Sequence, residues 1–546
     1  MMKNLFSSFR KGLRRRPRKN TGQINKLPQK PDHPNYAVPL SLAEKTEIMG
    51  KLVGHSNDIV FRRFNLGFTD IQVIAVYAQG MANSHAQNQA IFKSLMLYEE
   101  KSEEVGGGKR EITGKSDPAL IYELVKDNLI ITGQLTEHED LWEAAIDVLS
   151  GDTVLLFDGV NKILSVRVRQ VPQKNIEDSE REVSIRGPQT GFSEVLETKI
   201  AQLRNKIKHP ALKIESIRGG VYTNTGVVMA YLQGIVNPEL VEEARRRLER
   251  VIHVDGIWES GVIEELIEDN PFSPFPQVEI TERPDKAAAQ LISGRVVIMM
   301  DGSPNVLIVP TIFWQFIQAS DDFYQRLIGF ALRPARVIAL LLTLFLPSFY
   351  VALTTYHREM IPLSLLMAIS AAREGVPFPA FVEAFIMEGI FEFLREAGLR
   401  LPMQIGQALS IVGALVLGQA AIQANLVSPA MVIVVATTAV MSFMIPAFHF
   451  SVSLRLLRFV VLIFAATLGF FGMLLMAVFL LTHVVSLRSF GVPYLSPLAP
   501  LNLDDLKDVL LRLPVWSHKY RPLILRPQDI KRQDEGLKPV KPRPEK

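Results

Sequence analysis

Two long stretches without a formal charge dominate the C-terminal half of this 546-residue chain. No Asp, Glu, Lys or Arg occurs between Leu401 and Leu454, or between Phe459 and Leu487. A helix that crosses a bilayer needs about 20 apolar residues, and a charge at its centre costs at least about 3 kcal/mol. We therefore expect two membrane-spanning helices in the first stretch and one long helix in the second.

The predicted transmembrane bundle contains four clear spans, at residues 335–354, 405–424, 430–449 and 457–485. Residues 361–400 are ambiguous, because prolines and charges interrupt their apolar pattern. They form either a further span or a helix that lies in the interface or re-enters the membrane. Four crossings place both chain ends on one side, as the positive-inside rule favours, but leave Arg455 and Arg458 outside. A fifth crossing removes that conflict and misplaces the C-terminal tail.

The N-terminus is a basic arm. Ten Lys and Arg residues, from Lys3 to Lys30, precede the first acidic residue, Asp32. No apolar segment follows them, so the arm is not a secretory signal peptide. We expect residues 1–54 to be a disordered arm that is either solvated or bound to anionic lipid headgroups, at about 1 kcal/mol per basic residue near the surface. Nucleic-acid binding is not expected, because no recognition module follows.

Between the arm and the bundle, the pattern predicts a soluble α/β region. The apolar run 71–77 favours a strand, and residues 84–98 and 238–252 show helical periodicity. Ser41 followed three residues later by Glu44 fits a capping box that opens a helix. The overall fold class is therefore a soluble α/β N-terminal region followed by an α-helical transmembrane bundle.

Two short motifs recur within this region. Residues 77–83 (YAQGMAN) resemble residues 231–237 (YLQGIVN), and residues 154–159 (VLLFDG) resemble residues 297–302 (VIMMDG). The order and similar offsets predict two related subdomains. The predicted order is subdomain 1 (55–180), subdomain 2 (185–310), a connector (311–333), the helical domain (334–490) and a cytoplasmic tail (491–546). Each Asp-Gly suits a hairpin turn of type I′ rather than a catalytic role.

The motif search gives no support for an enzyme. Gly106-Gly107-Gly108-Lys109 lacks the spacing of a phosphate-binding loop, and no nucleophile elbow, HExxH or GxGxxG pattern occurs. The chain has no cysteine, which excludes disulfides, thiolate zinc sites and a cysteine nucleophile. We therefore predict no catalytic residues, no metal site and no cofactor.

Acidic residues form a stripe within the ambiguous stretch. Glu388, Glu392 and Glu396 are four residues apart and share one helical face, while Glu383 stands apart among apolar residues. One interpretation is the wet face of an interfacial helix, paired with Arg395 and Arg400. The other is a cation pathway, because in a ring of identical subunits each glutamate repeats as a charged circle.

The predicted helix 405–424 carries a ridge of small residues. Such ridges allow close approach of helix backbones in lipid, and the glutamines beside this one need protein or water as neighbours. Helix packing and a polar pore wall are therefore both open. The residues concerned are Gly406, Ser410, Ala414, Gly418, Gln407 and Gln419.

A set of motifs in the second half resembles the A subunits of spore germinant receptors. The matching segments follow in one colinear order between about residues 185 and 500. They are 186–194 (RGPQTGFSE), 274–277 (PFPQ), 281–285 (TERPD), 373–379 (REGVPFP) through Glu388, 405–408 (IGQA), 454–459 (LRLLRF) and 493–495 (PYL).

The resemblance implies a place in the inner membrane of bacterial spores, with the soluble half and the tail facing the core. Members work with a transporter-like B subunit and a lipoprotein C subunit. The A subunits are expected to form a homo-oligomeric ring, a pentamer, around a cation pore whose opening starts germination. A related paralogue, stage V sporulation protein AF, shares the pattern, but the longer N-terminal region favours the receptor type.

Three functional hypotheses remain open at this point. The first is a subunit of an oligomeric cation channel, whose soluble half couples partner state to the pore. The second is a secondary transporter, although we see no paired inverted repeats in the membrane half. The third is a non-conducting scaffold or receptor. Charges near the junction either carry the coupling or form ordinary surface ion pairs; they are Arg283, Asp285, Asp321 and Asp322.

Overall fold

The computed structural model describes most of the chain between residues 36 and 539. The described residues are 36–54, 56–67, 71–97, 117–130, 134–169, 182, 187–319, 322, 326–400, 416, 418–502, 505, 506, 509 and 512–539. The basic residues Lys3 to Lys30 and most of the predicted span 405–424 lie outside this set.

The N-terminal half contains two five-stranded sheets with the same strand order. The order is β1-β2-β4-β5-β3 in the first sheet and β6-β7-β9-β10-β8 in the second, and every pairing is antiparallel. The first sheet comprises β1 (Ile59–Asn65), β2 (Gln72–Ala78), β3 (Leu135–His138), β4 (Thr153–Phe157) and β5 (Ile163–Val166). The second comprises β6 (Leu212–Gly219), β7 (Thr225–Leu232), β8 (Glu279–Thr281), β9 (Val296–Met300) and β10 (Val306–Val309). The second sheet thus repeats the first strand for strand, while the bounds 55–180 and 185–310 stay predictions.

Helices cover both faces of each sheet and bury the central strands. β4 and β9 are buried at every position, and apart from Thr153 at the start of β4 their sequences are continuously apolar rather than alternating. The first sheet carries α1 (Leu42–Val53), α2 (Ser84–Gln87, continued as a helix to Met96), α3 (Pro118–Leu124) and α4 (Leu141–Leu149). The second carries α5 (Leu196–Lys206), α6 (Pro238–Leu248), α7 (Ser260–Ile267) and α8 (Pro284–Ile292).

The predicted disordered arm, residues 1–54, ends in an ordered helix. α1 starts directly after Ser41, as predicted, and buries Met49 and Val53 against the first sheet. The arm prediction is therefore wrong for this helix, because its apolar face completes the core of the sheet. The capping-box prediction is also wrong, since the Ser41 side chain makes no capping hydrogen bond.

A buried lysine occupies the same place in each subdomain. Lys45 in α1 donates hydrogen bonds from Nζ to the carbonyl oxygens of Phe157 (2.5 Å) and Val160. Lys199 in α5 does the same to the carbonyl oxygen of Met300 and to a second carbonyl three residues further on. Both lysine side chains are fully buried. Each lysine therefore ties a helix to the loop after a central strand.

The two Asp-Gly pairs cap these helices. Asp158 Oδ1 accepts a hydrogen bond from the Leu42 amide at 3.0 Å, and Asp301 Oδ1 accepts one from the Leu196 amide at 2.9 Å. Each pair joins two antiparallel strands, so the predicted hairpins are present. The type I′ turn is wrong, because it needs positive φ at both positions and only the glycines have it, at 75° and 83°.

Among the described residues, five main helices form the C-terminal half, which we call the helical half. They are α9 (Arg326–Thr355), α10 (Leu363–Arg373), α11 (Ala380–Arg400), α12 (Pro429–Phe443) and α13 (Phe448–Ser486). Of the helices that the structure describes, two are long and apolar enough to cross a membrane, namely Gly329–Thr355 within α9 and the whole of α13. α10 and α12 are apolar but shorter, with 11 and 15 residues.

The predicted spans match these helices only in part. Residues 335–354 lie within α9, and residues 361–400 form α10 and α11. The span 430–449 is wrong at its C-terminal end, because α12 stops before Pro446 and α13 starts after it. Proline cannot continue a helix at its own amide, so the chain turns there.

α13 reverses direction at Gly469. The ring of Phe275 lies 6.1 Å from that of Phe450 and 6.0 Å from that of His483, although these two residues belong to opposite ends of α13. A straight helix would separate them by about 50 Å. Gly469 has φ 61° and ψ −141°, a conformation outside the helical region. The chain therefore folds back on itself at this glycine.

The reversal divides α13 into two antiparallel limbs, α13a (448–468) and α13b (470–486). The hydroxyl of Tyr356, just beyond α9, donates hydrogen bonds to the carbonyl oxygens of Ala466 (2.8 Å) and Thr467 (2.9 Å), next to the break. The prediction of one long helix over residues 457–485 is therefore wrong. A single glycine in an apolar run does not reveal a reversal, because helices also tolerate isolated glycines.

Candidate functional site: buried ion pairs between α11 and α13

An ion pair joins α11 to α13a inside the helical half. Arg458 Nη2 lies 2.7 Å from Glu388 Oε2, and the two side chains are only 2% and 1% exposed. Burying two charges carries a large desolvation cost, which close pairing offsets only while both partners are present. The structure thus places the predicted pathway residue Glu388 against an arginine rather than in open solvent.

A second pair lies beside the first. Arg455 Nη1 donates to Glu392 Oε1 at 2.5 Å, and Glu392 is 32% exposed. Along α11 the order is Glu388 then Glu392, whereas their partners follow in the reverse order along α13a. Two antiparallel helices pair their residues in this reversed order. The arginines that conflicted with the four-crossing scheme are therefore counterions of the glutamate stripe.

A third arginine, Arg395, lies beside these two pairs. Among the described residues, no carboxylate is in hydrogen-bonding contact with it. Arg395 Nη2 donates to Ser442 Oγ at 2.8 Å, and its guanidinium stacks over the rings of Phe443 (4.6 Å) and Phe391 (5.0 Å). Cation–π contacts of this kind stabilise a desolvated cation by about 2 kcal/mol. We call Glu388, Glu392, Arg395, Arg455 and Arg458 the ion-pair cluster.

Glu383 caps the start of α12. Its side chain is fully buried, Oε2 accepts from the Ser428 amide (3.0 Å) and hydroxyl (2.8 Å), and Oε1 lies 3.1 Å from Arg373 Nη2. The Ser428 hydroxyl in turn accepts from the Met431 amide. A carboxylate at a helix N-terminus is stabilised by the free amides and the helix dipole. Glu383 therefore holds α10, α11 and α12 together.

Glu396, the last member of the stripe, is a surface residue. Its side chain is 57% exposed and forms an i,i+4 pair with Arg400 at 2.7 Å. Exposed pairs of this kind contribute little to stability. The stripe therefore passes from a buried end at Glu388 to an exposed end at Glu396.

The small-residue ridge falls mostly outside the described residues. Gly406, Gln407, Ser410 and Ala414 lie outside the described residues, whereas Gly418 and Gln419 are described. Gly418 is buried next to α12, where a Cβ atom at this position would lie 3.9 Å from the side chain of Val432. Gln419 is exposed. The packing role predicted for the ridge and the alternative of a pore wall both stay predictions.

The junction between the two halves is built on Asp322. Asp322 is fully buried, and its Oδ2 atom lies 2.7 Å from Arg336 Nη1 and 3.2 Å from Arg333 Nε at the base of α9. Its carbonyl oxygen accepts from Arg512 Nε at 3.1 Å. The surface-pairing interpretation is therefore wrong for Asp322, which connects the chain before α9, α9 itself and the C-terminal tail.

The other predicted junction residues behave differently. Arg283 pairs with Asp285 at 2.8 Å within the second subdomain, and Asp321 lies outside the described residues. Sequence reasoning missed Arg333, Arg336 and their shared carboxylate as a unit. The available signal was two arginines one helical turn apart at the start of an apolar span, which need a counterion if they are buried. Within the described part of the chain, no group of three or more His, Asp or Glu side chains is arranged to hold a metal.

Comparison with known proteins decides the family. The chain matches the Bacillus/Clostridium GerA spore germination proteins over residues 47–524. It belongs to the GerA family. The resemblance predicted from the motifs between residues 185 and 500 is therefore confirmed, and this GerA chain is related to the A subunits of germinant receptors.

Individual relatives cover nearly the whole GerA chain. Spore germination protein KA of Bacillus subtilis (strain 168) is 41% identical over 502 residues, which span 91% of this chain and 89% of that protein. Uncharacterized membrane protein YfkQ of the same strain is 39% identical over 493 residues, spanning 90% and 92%. Spore germination protein GerLA of Bacillus cereus is 34% identical over 478 residues, spanning 87% and 94%.

Among solved structures, the chain is similar to the N-terminal domain of the A subunit of the Bacillus megaterium spore germinant receptor GerK3. The two are 31% identical, with a TM-score of 0.39, over 52% of this chain and 99% of that domain.

Proposed function

We propose that this GerA protein is the membrane-embedded A subunit of a spore germinant receptor. In this proposal it assembles as a homo-oligomer, a pentamer, around a cation pathway that opens on nutrient sensing. Its partners are a transporter-like B subunit, a lipoprotein C subunit and the lipids of the spore inner membrane. The soluble half and the tail face the spore core. The resulting ion release triggers germination.

The observation that carries the membrane part of the proposal is the inverted burial pattern of α11. Its buried residues are Ala380, Glu383, Ala384 and Glu388, whereas Phe385 and Phe393 are 44% and 77% exposed. A helix in water buries its apolar face and exposes its charges. The reverse pattern suits a helix whose charges face protein partners and whose apolar face contacts lipid or another subunit.

α10 supports an assembly larger than one chain. This helix, with the sequence LSLLMAISAAR, has no buried residue, and Leu363 and Met367 are 74% and 66% exposed. Apolar patches of this extent mark interaction or membrane surfaces. In the proposed oligomer, α10 and the exposed face of α11 contact lipid and neighbouring subunits.

The ion-pair cluster supplies a physical basis for gating. Cation conduction along α11 requires carboxylates that ions can approach, but Arg458 and Arg455 neutralise Glu388 and Glu392 in this conformation. We therefore propose that Glu396 marks the water-facing end of the pathway. Opening separates α13a from α11 and exposes the deeper carboxylates. The ridge helix 405–424 is the proposed second wall of the pathway.

Coupling to the soluble half runs through Asp322 in this proposal. The carboxylate holds Arg333 and Arg336, so a movement of the segment before α9 is passed to the base of α9. α9 packs against both limbs of α13. A shift of α9 therefore changes the packing of α13a, which carries Arg455 and Arg458 of the ion-pair cluster.

The decisive experiment measures potassium flux from liposomes that contain the purified protein, alone and with its B and C subunits. We expect flux in the wild type and a large loss of flux or of cation preference in Glu388→Gln/Glu392→Gln. Arg455→Gln/Arg458→Gln, which frees the carboxylates, should raise the basal flux. Each variant must elute as the wild-type oligomer.

Lys51→Gln is the control, because Lys51 lies far along the chain in α1 and its side chain is 73% exposed. Unchanged flux in Glu388→Gln/Glu392→Gln would exclude these glutamates from the pathway. Absence of flux from the complete, nutrient-supplied complex would exclude the channel proposal.

A non-conducting coupling subunit is the second candidate, and one observation favours it. All four glutamates predicted for the pathway have arginine partners in the structure. A scaffold would keep these pairs permanently, whereas a channel must release some of them. Flux through the complete receptor distinguishes the two functions.

A further inference from the structure

A cavity of about 510 Å³ lies where the second sheet, the base of α9 and the C-terminal tail meet. We call it the basal cavity. Gln290 contributes from α8 and Arg295 from the position before β9, Arg333 from α9, and Arg512 and Arg532 from the tail. The volume falls within the range of about 300–1,000 Å³ that is typical of small-molecule sites. Three distant parts of the chain thus line one partly open cavity.

The wall of the cavity is strongly basic. Its described lining includes Arg295, Arg333, Arg512, Lys519 and Arg532, against the single carboxylate of Asp505. Part of this charge is already compensated. Arg333 binds the carboxylate of Asp322, and Lys519 pairs with Glu535 at 2.6 Å. Arg295, Arg512 and Arg532 place three further guanidinium groups on the wall, and clustered basic groups favour the approach of anions.

Among the residues of this wall, Arg295 is the one that most directly indicates an anion site. It is only 5% exposed, and it donates from Nη1 to Gln290 Oε1, a neutral acceptor. Its Nε atom has no hydrogen-bond partner among the described residues. A buried guanidinium without a contacting carboxylate carries an uncompensated desolvation cost. Such a group is uncommon in a stable protein unless another anion supplies the missing partner.

The nearest counter-charge within the second sheet is engaged elsewhere. Glu279 interacts with Lys286 at 2.9 Å and accepts from Gln315 Nε2 at 2.5 Å. Burial lowers the pKa of Arg295 to about 10, while the charge of Glu279 acts in the opposite direction from a distance. The guanidinium therefore remains charged at neutral pH, and it belongs to the lining of the cavity with its Nε donor open.

We propose that the basal cavity binds a phosphate group, with Arg295 as its buried ligand and Arg512 and Arg532 as ligands from the tail. Arginine suits this role, because its planar donors match phosphate oxygens in pairs. Two sources share this chemistry: a soluble phosphorylated molecule and the headgroup of an anionic lipid. The bound phosphate would join the tail to the second sheet beside Asp322 and α9.

The test uses full-length protein in detergent, with inorganic phosphate as the probe and calorimetry as the readout. We expect saturable binding to the wild type and at least a tenfold weaker affinity in Arg295→Gln. Arg532→Gln, an exposed residue on the tail side, should weaken binding without affecting folding. The control is Arg246→Gln on α6, which makes the same change at a side chain that is 70% exposed.

Nanodiscs separate the two sources. If phosphatidylglycerol discs block phosphate binding and phosphatidylcholine discs do not, the lipid headgroup occupies the cavity. If phosphate binds equally in both, the ligand is a soluble phosphorylated molecule. No phosphate binding in detergent together with no difference between the discs would overturn the proposal, as would equal affinities of the wild type, Arg295→Gln and Arg532→Gln.

Discussion

Arg458 and Glu388 form an ion pair of 2.7 Å across α13a and α11, with both side chains almost fully buried. Seventy positions separate them in the chain, so only the packing of the two helices brings them together. The pair explains how two charged side chains can both be buried, namely an arginine inside an apolar helix and a glutamate on the buried face of another.

Breaking this pair on one side should be costly. We expect Arg458→Gln to destabilise the protein by about 3–5 kcal/mol, because Glu388 would keep its burial and lose its counterion. The double variant Arg458→Gln/Glu388→Gln should recover much of that loss. Thermal unfolding in detergent measures the effect. Glu396→Gln is the matched control, and its exposed pair should change stability by less than about 1 kcal/mol. Equal effects of Arg458→Gln and Glu396→Gln would contradict the buried pair.

The reversal of α13 should depend on Gly469. A Cβ atom at this position would lie 2.9 Å from His357 Cε1 and 3.0 Å from Tyr356 Cβ, and the backbone has positive φ. We expect Gly469→Ala to destabilise the helical half by about 1–3 kcal/mol. Gly389→Ala in α11 is the control, because a Cβ atom there meets nothing within 4 Å, and alanine should be neutral or stabilising. If α13 were straight, Gly469→Ala and Gly389→Ala would have the same effect on stability, and that result would contradict the reversal.

Glu383 should stabilise α12 through its amide and hydroxyl contacts. We expect Glu383→Gln to cost about 1–3 kcal/mol, because it removes the charge at the helix N-terminus and leaves Arg373 without its partner. Ser428→Ala should cost about 1 kcal/mol, and the two changes should not be additive, since the residues are hydrogen-bonded. A thermodynamic cycle of the two single variants and the double variant tests this coupling. Strict additivity would show that the contact has no energetic role.

The two buried lysines, Lys45 and Lys199, should make the free energy of unfolding depend on pH in the alkaline range. Burial lowers the pKa of both Lys45 and Lys199 to about 8, and nearby aspartates oppose this shift. Between pH 8 and about 10.5 the unfolded lysine binds a proton that the folded one has lost, so each lysine makes stability rise with pH in this window. The full change is about 3 kcal/mol per lysine.

The measurement is the free energy of unfolding between pH 7 and 10 for the wild type, Lys45→Met and the control Lys51→Met. In Lys45→Met, the rise of the unfolding free energy with pH should be smaller by about the contribution of one lysine. It should also be less stable at every pH, because the carbonyls of Phe157 and Val160 lose a donor. Lys51→Met, at an exposed position on the same helix, should retain the wild-type slope. Parallel curves for all three proteins would refute the assigned shift.

Several elements of the fold followed from local signals. The repeated Asp-Gly pairs predicted hairpins, and the structure contains a hairpin at both copies. The other repeated motif ends in an asparagine that caps the next helix: Asn83 accepts hydrogen bonds from the amides of His85 and Ala86, and Asn237 accepts one from the amide of Glu239. Such signals are readable because capping and turn formation involve residues only a few positions apart. The partners of Glu388 and Glu392 were not readable in this way, because no local rule selects which helix face meets α11.

The sequence by itself determined the α/β and helical halves, the glutamate stripe and the family, because apolar runs, periodicity and motifs are properties of consecutive residues. Tertiary structure alone decided that the stripe is paired with Arg455 and Arg458, that α13 reverses at Gly469, and that Arg295 and Arg512 share one cavity. These features depend on distances between segments far apart in the chain. Such distances are set by the packing of whole helices and sheets, which the order of residues specifies only through the complete fold.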